Sequence, residues 1–193
     1  MGDAVLENMN PLSLKVPKRL VTRRLILRPV EPRDARALER LIRSSFRELK
    51  PWMPWAQQVP TLKETAKYCR MAAATFKKRQ EFHLLVLRRT DGELIGATGM
   101  VRGDWTVPKF EIGYWLCTEH TGHGYITEAV KALMQFARRN LRVRRLEIRT
   151  DARNERSASV AKRAGFKLEG RLRRDARDNR GRLRDTLVFA RTF

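Results

Sequence analysis

Apolar residues recur along the chain at two spacings, one of two residues and one of three to four, which predict strands and helices respectively. Residues 1–17 carry no clear periodicity and are predicted to form a flexible N-terminal arm. Residues 18–193 are predicted to form one domain, which suits a chain of 193 residues. The predicted strands are residues 25–28, 83–88, 94–101, 110–116, 146–150, 166–172 and 183–191.

Helical spacing of apolar residues, together with helix-start signals, predicts about four helices between these strands. Thr61 and Glu64 form the pattern of a capping box, and Gly165 is placed to end the last helix. The element order predicts an α/β (α+β) fold in which a central sheet is flanked by helices. The predicted helices begin near Pro32, Thr61, Ile126 and Ser157.

A segment with two glycines, residues 119–129, joins the strand that ends at Leu116 to the helix that begins near Ile126. Gly122 and Gly124 let the backbone approach a ligand closely and adopt φ values that other residues avoid. The first turn of the helix offers free N–H groups and the positive end of the helix dipole, which together favour an anion such as a pyrophosphate. This spacing alone is also typical of an ordinary turn, and the segment lacks the Gly-Lys-Ser/Thr of a P-loop.

The motifs around this segment resemble the acetyl-CoA signature of the GNAT N-acetyltransferase superfamily, and the resemblance extends from about Leu25 to the C-terminus. It is strongest to the bacterial ribosomal-protein N-acetyltransferases of the RimJ/RimL type. The matching segments are Tyr114-Trp115-Leu116, Gly122-His123-Gly124, Thr127-Glu128-Ala129, Asn154-Glu155-Arg156-Ser157, Ala164-Gly165-Phe166 and Leu168-Glu169-Gly170. Glu119 stands where the usual signature has Gln or Arg.

The resemblance implies a mixed, mostly antiparallel sheet that splays open at the site of acetyl-CoA. It also implies that the acetyl group passes directly to a primary amine in a ternary complex, without a metal. The most favoured acceptor is the N-terminal α-amine of a protein, such as an acidic ribosomal protein. Aminoacyl-tRNA or a small amine is an alternative acceptor, and a non-catalytic module that binds CoA or RNA is a further alternative.

The same resemblance assigns residues to acetyl-CoA. The strand end would pair with the pantetheine arm, and backbone N–H groups from Thr121 to Ile126 would hold the pyrophosphate, although family members often have arginine at position 121. The hydroxyl of Thr127 would contact a phosphate or serve the helix start instead. The implied cofactor-binding residues are Leu116, Cys117, Thr118, Thr121, Gly122, His123, Gly124, Tyr125, Ile126, Thr127, Asn154 and Ser157.

Amide formation from a thioester requires that the amine lose its proton and that the leaving thiolate be stabilised. Glu111 matches a glutamate that serves as general base in some superfamily members, although pairing with an arginine is an equal alternative. Ser157 is either the general acid toward the thiolate or a helix N-cap, and Asn154 either reaches the pantetheine or forms an Asx-turn. Asp175 is a second acidic candidate. Ala161 occupies the helix position at which many superfamily members carry a tyrosine.

Two tryptophans, Trp52 and Trp55, lie in a segment whose prolines forbid a regular element. They either plug the core or, as the resemblance implies, form a wall of the acceptor site. His120 and His123 are three residues apart, but the sequence offers no third ligand, so no metal site is predicted.

The formal net charge of +21 changes this picture, because it is unusual for a small enzyme. It indicates either docking to a polyanion such as RNA, the ribosome or an acidic protein, or simply a solvated basic surface. Cys69 and Cys117 have no metal-binding spacing, which favours a reducing cytoplasm as location. No apolar run approaches the length of a membrane span, so no membrane partner is expected, and the chain is expected to be a monomer or a homodimer.

Overall fold

The structure is a computed structural model and describes residues 10–193. The strands are β1 (Leu20–Val21), β2 (Leu25–Pro29), β3 (Phe82–Arg88), β4 (Leu94–Asp104), β5 (Lys109–Leu116), β6 (Arg145–Asp151), β7 (Lys167–Arg177) and β8 (Leu183–Thr192). The helices are α1 (Ala35–Ser44), α2 (Phe46–Leu49), α3 (Leu62–Lys77), α4 (Tyr125–Leu141) and α5 (Glu155–Arg163).

The strands form one sheet in the order β1-β2-β3-β4-β5-β6-β8-β7. Every neighbouring pair is antiparallel except β5 and β6, which run parallel. This parallel pair is joined only at residues 109–111 and 145–147, after which the strands separate. Residues 112–116 of β5 therefore have no partner on the β6 side, and the sheet is open at this point. The mostly antiparallel, splayed sheet confirms the predicted fold class.

Two apolar clusters bury the two faces of the sheet. The larger lies between the sheet and helices α4 and α5, with Leu133, Phe136 and Ala161 at its centre. The smaller lies between the opposite face and helices α1 and α3, and includes Leu38 and Cys69. Helices α1, α3, α4 and α5 thus have their apolar stripes on the sheet, as the helical spacing in the sequence predicts.

The predicted long strands and helices are confirmed, including the Thr61–Glu64 capping box and the helix end at Gly165, whose φ is +89°. Strand β1 and helix α2 were not predicted, because two and four residues are too short to show a periodicity. The structure therefore has five helices, where the sequence predicted about four.

The predicted N-terminal arm falls mostly outside the described residues, which begin at residue 10. Within its described part, residues 11–13 form a short 3-10 turn, and Leu14 and Val16 pack against the larger cluster. In the described part of the chain, no helix is long and apolar enough to cross a bilayer.

Candidate active site

The glycine segment turns from β5 into α4 through two left-handed backbone positions. Gly122 has a φ of +85° and Gly124 a φ of +76°, and Gly124 is the N-cap of α4. L-residues pay roughly 1–2 kcal/mol in this region, so both positions favour glycine. Within residues 10–193, the N–H groups of residues 122–127 donate no hydrogen bonds. The helix thus begins with a row of free donors, which is the arrangement that binds a phosphate.

Arg24, immediately before β2, holds this loop in place. Its Nε lies 2.7 Å from Glu128 Oε2, and its Nη1 donates to the carbonyl of His123 at 2.9 Å. Glu128 also accepts from the hydroxyl of Thr22 at 2.6 Å and from the backbone N–H of Arg24. The Arg24 guanidinium lies 4.7 Å from the centre of the Tyr125 ring, over its face. The loop is therefore held by side chains a hundred residues away in sequence.

Replacing Glu128 with glutamine is expected to lower the free energy of unfolding at neutral pH by about 2 kcal/mol, the value of hydrogen bonds to a charged group. Burial alone would raise the pKa of Glu128, but the hydrogen bonds from Thr22 and Arg24 outweigh burial and hold the pKa below its ordinary value. A carboxylate with a lowered pKa stabilises the fold above its ordinary pKa of about 4.3, and this contribution is lost as the pH falls further.

Chemical denaturation at pH 7 and at about pH 3 tests this, because wild type and variant should converge in acid. Glu39→Gln is the control, since the Glu39 side chain is similarly exposed (13% against 18% for Glu128) but has one partner, Arg43, four residues along α1, and such pairs contribute only about 0.5 kcal/mol. Equal losses for the two variants would contradict a special role for Glu128.

A buried serine fixes the strand end that precedes the loop. Ser45, which is fully buried between α1 and α2, donates to the Cys117 Sγ at 3.2 Å and accepts from the N–H of Thr118 at 3.1 Å. Cys117 and Cys69 are both buried and free. Of the predicted cofactor-binding residues, Leu116 thus ends β5 at the open edge, and Cys117 and Thr118 follow it, held by Ser45.

Asn154 and Ser157 lie on the other lip of the opening. The Asn154 side chain caps α5 by accepting from the N–H of Ser157 at 3.0 Å. Asn154 therefore forms the turn at the helix start that the sequence predicted as one of its two roles. The prediction that Ser157 is the N-cap is wrong, because Ser157 lies inside the first turn. The Ser157 hydroxyl is 2.9 Å from the hydroxyl of Tyr114 on β5. Burial raises the pKa of Tyr114 to about 12, so this phenol keeps its proton at neutral pH.

A cavity of about 950 Å³ opens where β5 and β6 separate, and it brings most predicted catalytic and acceptor residues together. On one side it reaches Ser157, and on the other it passes between the sheet and helices α1 and α3. Ala97, Gly99 and Gly113 line its floor. The predicted residues that line it are Trp52, Trp55, Glu111, Asn154, Ser157 and Asp175.

The tryptophan loop covers this cavity and is held in place by the β7–β8 hairpin. Trp55 packs against Trp115 with ring centres 6.1 Å apart, while Trp52 and Trp55 remain 39% and 47% exposed. At the hairpin tip, Asn179 donates to the carbonyls of Met53 (2.8 Å) and Lys50, and it accepts from Gln57. The exposure of Trp52 and Trp55 excludes the alternative in which they plug the core, and it favours the alternative in which they form a wall of the cavity.

The acidic candidates in the cavity are both paired with arginines. Glu111 lies 2.7 Å from Arg102, whose positive φ of 52° falls in a bulge of β4. The bulge turns the Arg102 side chain toward β5. Asp175 lies 3.3 Å from Arg149, in the irregular part of β7 between Leu172 and Ala176 rather than in a loop.

A second, more open cavity of about 800 Å³ borders the glycine segment, with Gly124 and Thr127 on its wall. Thr127 is the third residue of α4, so it does not cap the helix, and its hydroxyl lies 3.5 Å from Arg163. Arg24 is the only cation of this cavity that pairs with a carboxylate of residues 10–193. The unpaired cations on its wall are Arg19, Arg23, Lys131, Arg139 and Arg163.

His120 and His123 contact different neighbours. His120 contacts Glu93 at 3.3 Å, and the ring of His123 lies 5.9 Å from that of Tyr125. Across the described range 10–193, no group of three or more potential metal ligands is assembled.

A splayed parallel pair followed by a glycine turn with free amides is the geometry that the sequence motifs predict. Residues 24–167 match the family model described as an acetyltransferase (GNAT) domain. The chain belongs to the GNAT acetyltransferase family. As a member of it, the chain is an acetyl-CoA-dependent N-acetyltransferase, which confirms the predicted activity and cosubstrate.

Several GNAT proteins resemble this chain over most of its length. A putative ribosomal N-acetyltransferase of Bacillus subtilis, YdaF, is 32% identical over 79% of this chain and 83% of its own. The ribosomal-protein-serine acetyltransferase of Escherichia coli is 29% identical over 79% and 84%. Among solved structures, the ribosomal L7/L12 α-N-protein acetyltransferase RimL in complex with coenzyme A has a TM-score of 0.85 at 26% identity, covering 91% of this chain and 98% of its own.

Four residues build this site through contacts that no motif in the sequence records. Arg24, Tyr114 and Asn179 act through contacts with residues at least 43 positions away. Ser45 reaches Cys117 across 72 positions. Glu128 belongs to a recognised motif, but an acidic residue in the first turn is common in any helix, so its role in holding Arg24 was not predictable.

Proposed function

We propose that this GNAT enzyme acetylates the N-terminal α-amine of a protein, most favourably a ribosomal protein. Two kinds of relatives support the acceptor: the Escherichia coli relative is a ribosomal-protein-serine acetyltransferase, and RimL acts on ribosomal L7/L12. The cavity supports it as well, because its open side beside the exposed Trp52 and Trp55 has room for a chain terminus.

The single observation that carries the proposal is the opening between β5 and β6, bordered by the glycine turn on one side and the 950 Å³ cavity on the other. The free edge of β5 up to Leu116 would pair with the pantetheine arm as a peptide pairs with a sheet edge. Cys117 and Thr118 would contact the arm by other groups, because their N–H groups donate to the Ile95 carbonyl and the Ser45 hydroxyl. The free amides of residues 122–126 would hold the pyrophosphate, whereas the predicted Thr121 amide is not free, because it donates to the Thr118 carbonyl at 3.1 Å. The Arg24 guanidinium lies beside this turn and would supply the positive charge that many family members have as an arginine at position 121. The thioester would then face the cavity in which the amine binds.

Two residues are proposed for the chemistry. Glu111 would act as general base and take a proton from the acceptor nitrogen through one water. Ser157 would donate a proton to the departing thiolate, and the hydroxyl of Tyr114, which stays protonated, stands behind it at 2.9 Å. A hydrogen bond from the Tyr114 hydroxyl would stabilise the serine oxygen after it gives up its proton, and Ser157 would regain that proton from solvent while Tyr114 keeps its own. Asp175 is held by Arg149 and is the weaker candidate for a base.

Five cations on the wall of the second cavity, none of which pairs with a carboxylate of residues 10–193, support an additional association with a polyanion, such as ribosomal RNA or an acidic ribosomal protein. With a net charge of +21, the chain would approach such a partner rapidly at low salt. Binding to a nucleic-acid backbone falls steeply with salt, because each phosphate contact releases counterions.

The test is mass spectrometry of ribosomes and ribosomal proteins incubated with the enzyme and isotopically labelled acetyl-CoA. We expect label on the α-amine of one or a few ribosomal proteins, with faster labelling of intact ribosomes at low salt. Label on aminoacyl-tRNA or on small amines alone would overturn the proposed acceptor. Release of CoA without any labelled protein would do the same.

A further inference from the structure

Three side chains on the acceptor cavity form a hydrogen-bonded chain that the proposed catalytic residues do not include. The hydroxyl of Tyr68 on α3 lies 3.2 Å from Nδ1 of His83 on β3, and Nε2 of His83 lies 2.9 Å from Oε2 of Glu81. Tyr68 and His83 both line the cavity. The His83 side chain is only 14% exposed, whereas Glu81 is 30% exposed at the outer end. The chain therefore runs from the acceptor cavity to solvent.

The partners of His83 fix where its proton lies. A carboxylate only accepts hydrogen bonds, so Nε2 of the neutral imidazole carries the hydrogen and donates it to Glu81. Nδ1 is then the acceptor, and the phenol of Tyr68 donates to it. Burial raises the pKa of Tyr68, which keeps this phenol protonated. The lone pairs of the phenol oxygen remain available to an N–H donor that enters the cavity.

The sheet leaves open space between this chain and the opening of β5. His83, Gly99 and Gly113 form one row across β3, β4 and β5, so their side-chain positions share a face. The row spans about 10 Å, which is two strand spacings, and neither glycine fills it with a side chain. A Cβ added at Gly113 would meet nothing within 4 Å. Gly113 is also the second residue beyond the last β5–β6 pair, at the mouth of the opening.

We propose that Tyr68, His83 and Glu81 form a proton relay that deprotonates the ammonium group of the acceptor before it attacks the thioester. This inference rests on the proposed function. The acceptor nitrogen loses two protons in the reaction, one as it changes from ammonium to amine and one from the tetrahedral adduct. Glu111 holds only one proton at a time, so the first proton needs a separate acceptor.

The relay step balances with the groups present. The ammonium N–H bond breaks as its proton moves to the Tyr68 oxygen, while the original phenol proton moves to Nδ1 of His83. The positive charge thus passes from the nitrogen of the acceptor to an imidazolium that faces the Glu81 carboxylate. His83 then returns its extra proton to solvent past Glu81. This matches the overall reaction, which releases one proton to water and leaves the other on the thiol.

The other ionisable groups around His83 are engaged elsewhere. Glu64 on α3 accepts from Thr61, and Arg102 on β4 pairs with Glu111 on β5. The backbone N–H of Arg102 lies 3.4 Å from the second oxygen of Glu81 and helps to hold that carboxylate. Burial raises the pKa of the neighbouring Cys69 thiol to about 11, so it stays neutral. Among residues 10–193, Glu81 is thus the one charged group in contact with the imidazole.

The decisive measurement is the pH dependence of kcat/KM for His83→Asn and Tyr68→Phe, with an N-terminal peptide as acceptor. An α-amine has a pKa of about 8, so below that pH the enzyme must deprotonate it. We expect each variant to lose about 100-fold at pH 6.5, within the range of a positioned acid–base group, and to approach wild type above about pH 9. A loss that is the same at every pH would show a merely structural role and would overturn the relay, as would no loss at all.

Matched carboxylates supply the control. Glu81→Gln is expected to show the same pH-dependent loss, whereas Glu93→Gln is not, although Glu93 also contacts a histidine, His120, at 3.3 Å. Acetyl-CoA affinity, measured by calorimetry, should be unchanged in all four variants and shows that they are folded. Failure of wild-type enzyme to acetylate any N-terminal peptide would contradict the proposed function. Wild-type activity with unchanged variant profiles would contradict the relay alone.

Discussion

Replacing Gly124 with valine is expected to weaken acetyl-CoA binding by about 100-fold. Gly124 is the N-cap of α4 at a φ of +76°, and its backbone lies among the free amides proposed to hold the pyrophosphate. A β-branched side chain would fill the approach to those amides. The loss of one or two hydrogen bonds to a charged group amounts to about 3 kcal/mol, which is about 100-fold in Kd.

A second glycine in the chain separates this effect from backbone strain. Gly92, in the β3–β4 hairpin, has nearly the same φ of +73°, and a Cβ there would meet nothing within 4 Å. At Gly124 the nearest atom would be Arg24 Nη2 at 3.7 Å, an ordinary contact. Both valine variants should therefore lose similar stability, of about 1–2 kcal/mol. Calorimetry with acetyl-CoA should show lost affinity only for Gly124→Val, and equal affinities in the two variants would remove the phosphate loop from the proposed site.

The sequence predicted the central part of this fold because local patterns there agree with the tertiary structure. Strands β3 to β6 and helices α3 to α5 have apolar periodicities long enough to detect, and their termini carry a capping box or glycines of positive φ. The β7–β8 hairpin was predicted shorter than it is. Strand β7 is exposed along nearly all of its eleven residues and rich in arginine, so its outer half lacks the alternation by which a strand is recognised.

The candidate site was predictable only where its residues are close in sequence. The glycine turn and the Asn154–Ser157 pair lie within single motifs, so the resemblance located them. The contacts that position the site join distant parts of the chain. Arg24 reaches the glycine turn from the residue before β2, and Asn179 reaches the tryptophan loop from the β7–β8 hairpin. No periodicity in a sequence records which two distant surfaces will meet. The Tyr68–His83 contact could not be predicted for the same reason, since a single histidine in a strand belongs to no sequence pattern.

Glu111→Gln is expected to reduce kcat/KM by about 10²- to 10⁴-fold, the usual contribution of a general base. Glutamine has nearly the shape of glutamate and still accepts a hydrogen bond from Arg102, but it cannot take a proton. Acetyl-CoA affinity should be unchanged, because Glu111 lies in the acceptor cavity and not at the glycine turn. Unlike the relay variants, Glu111→Gln should lose activity at every pH, since the tetrahedral adduct must shed its proton however the amine was prepared.

The register partner of Glu111 provides the control for this test. Glu147 pairs with Glu111 across β5 and β6, it too lies 2.7 Å from an arginine, Arg145, and the two side chains are similarly exposed, at 22% and 17%. Glu147 does not line the cavity. Glu147→Gln therefore removes the same kind of ion pair from the same row of the sheet without touching the proposed chemistry. Steady-state kinetics should show near-wild-type activity for Glu147→Gln. Comparable, small losses in both variants would mean that Glu111 is simply the partner of Arg102, and the base would have to be sought elsewhere in the cavity.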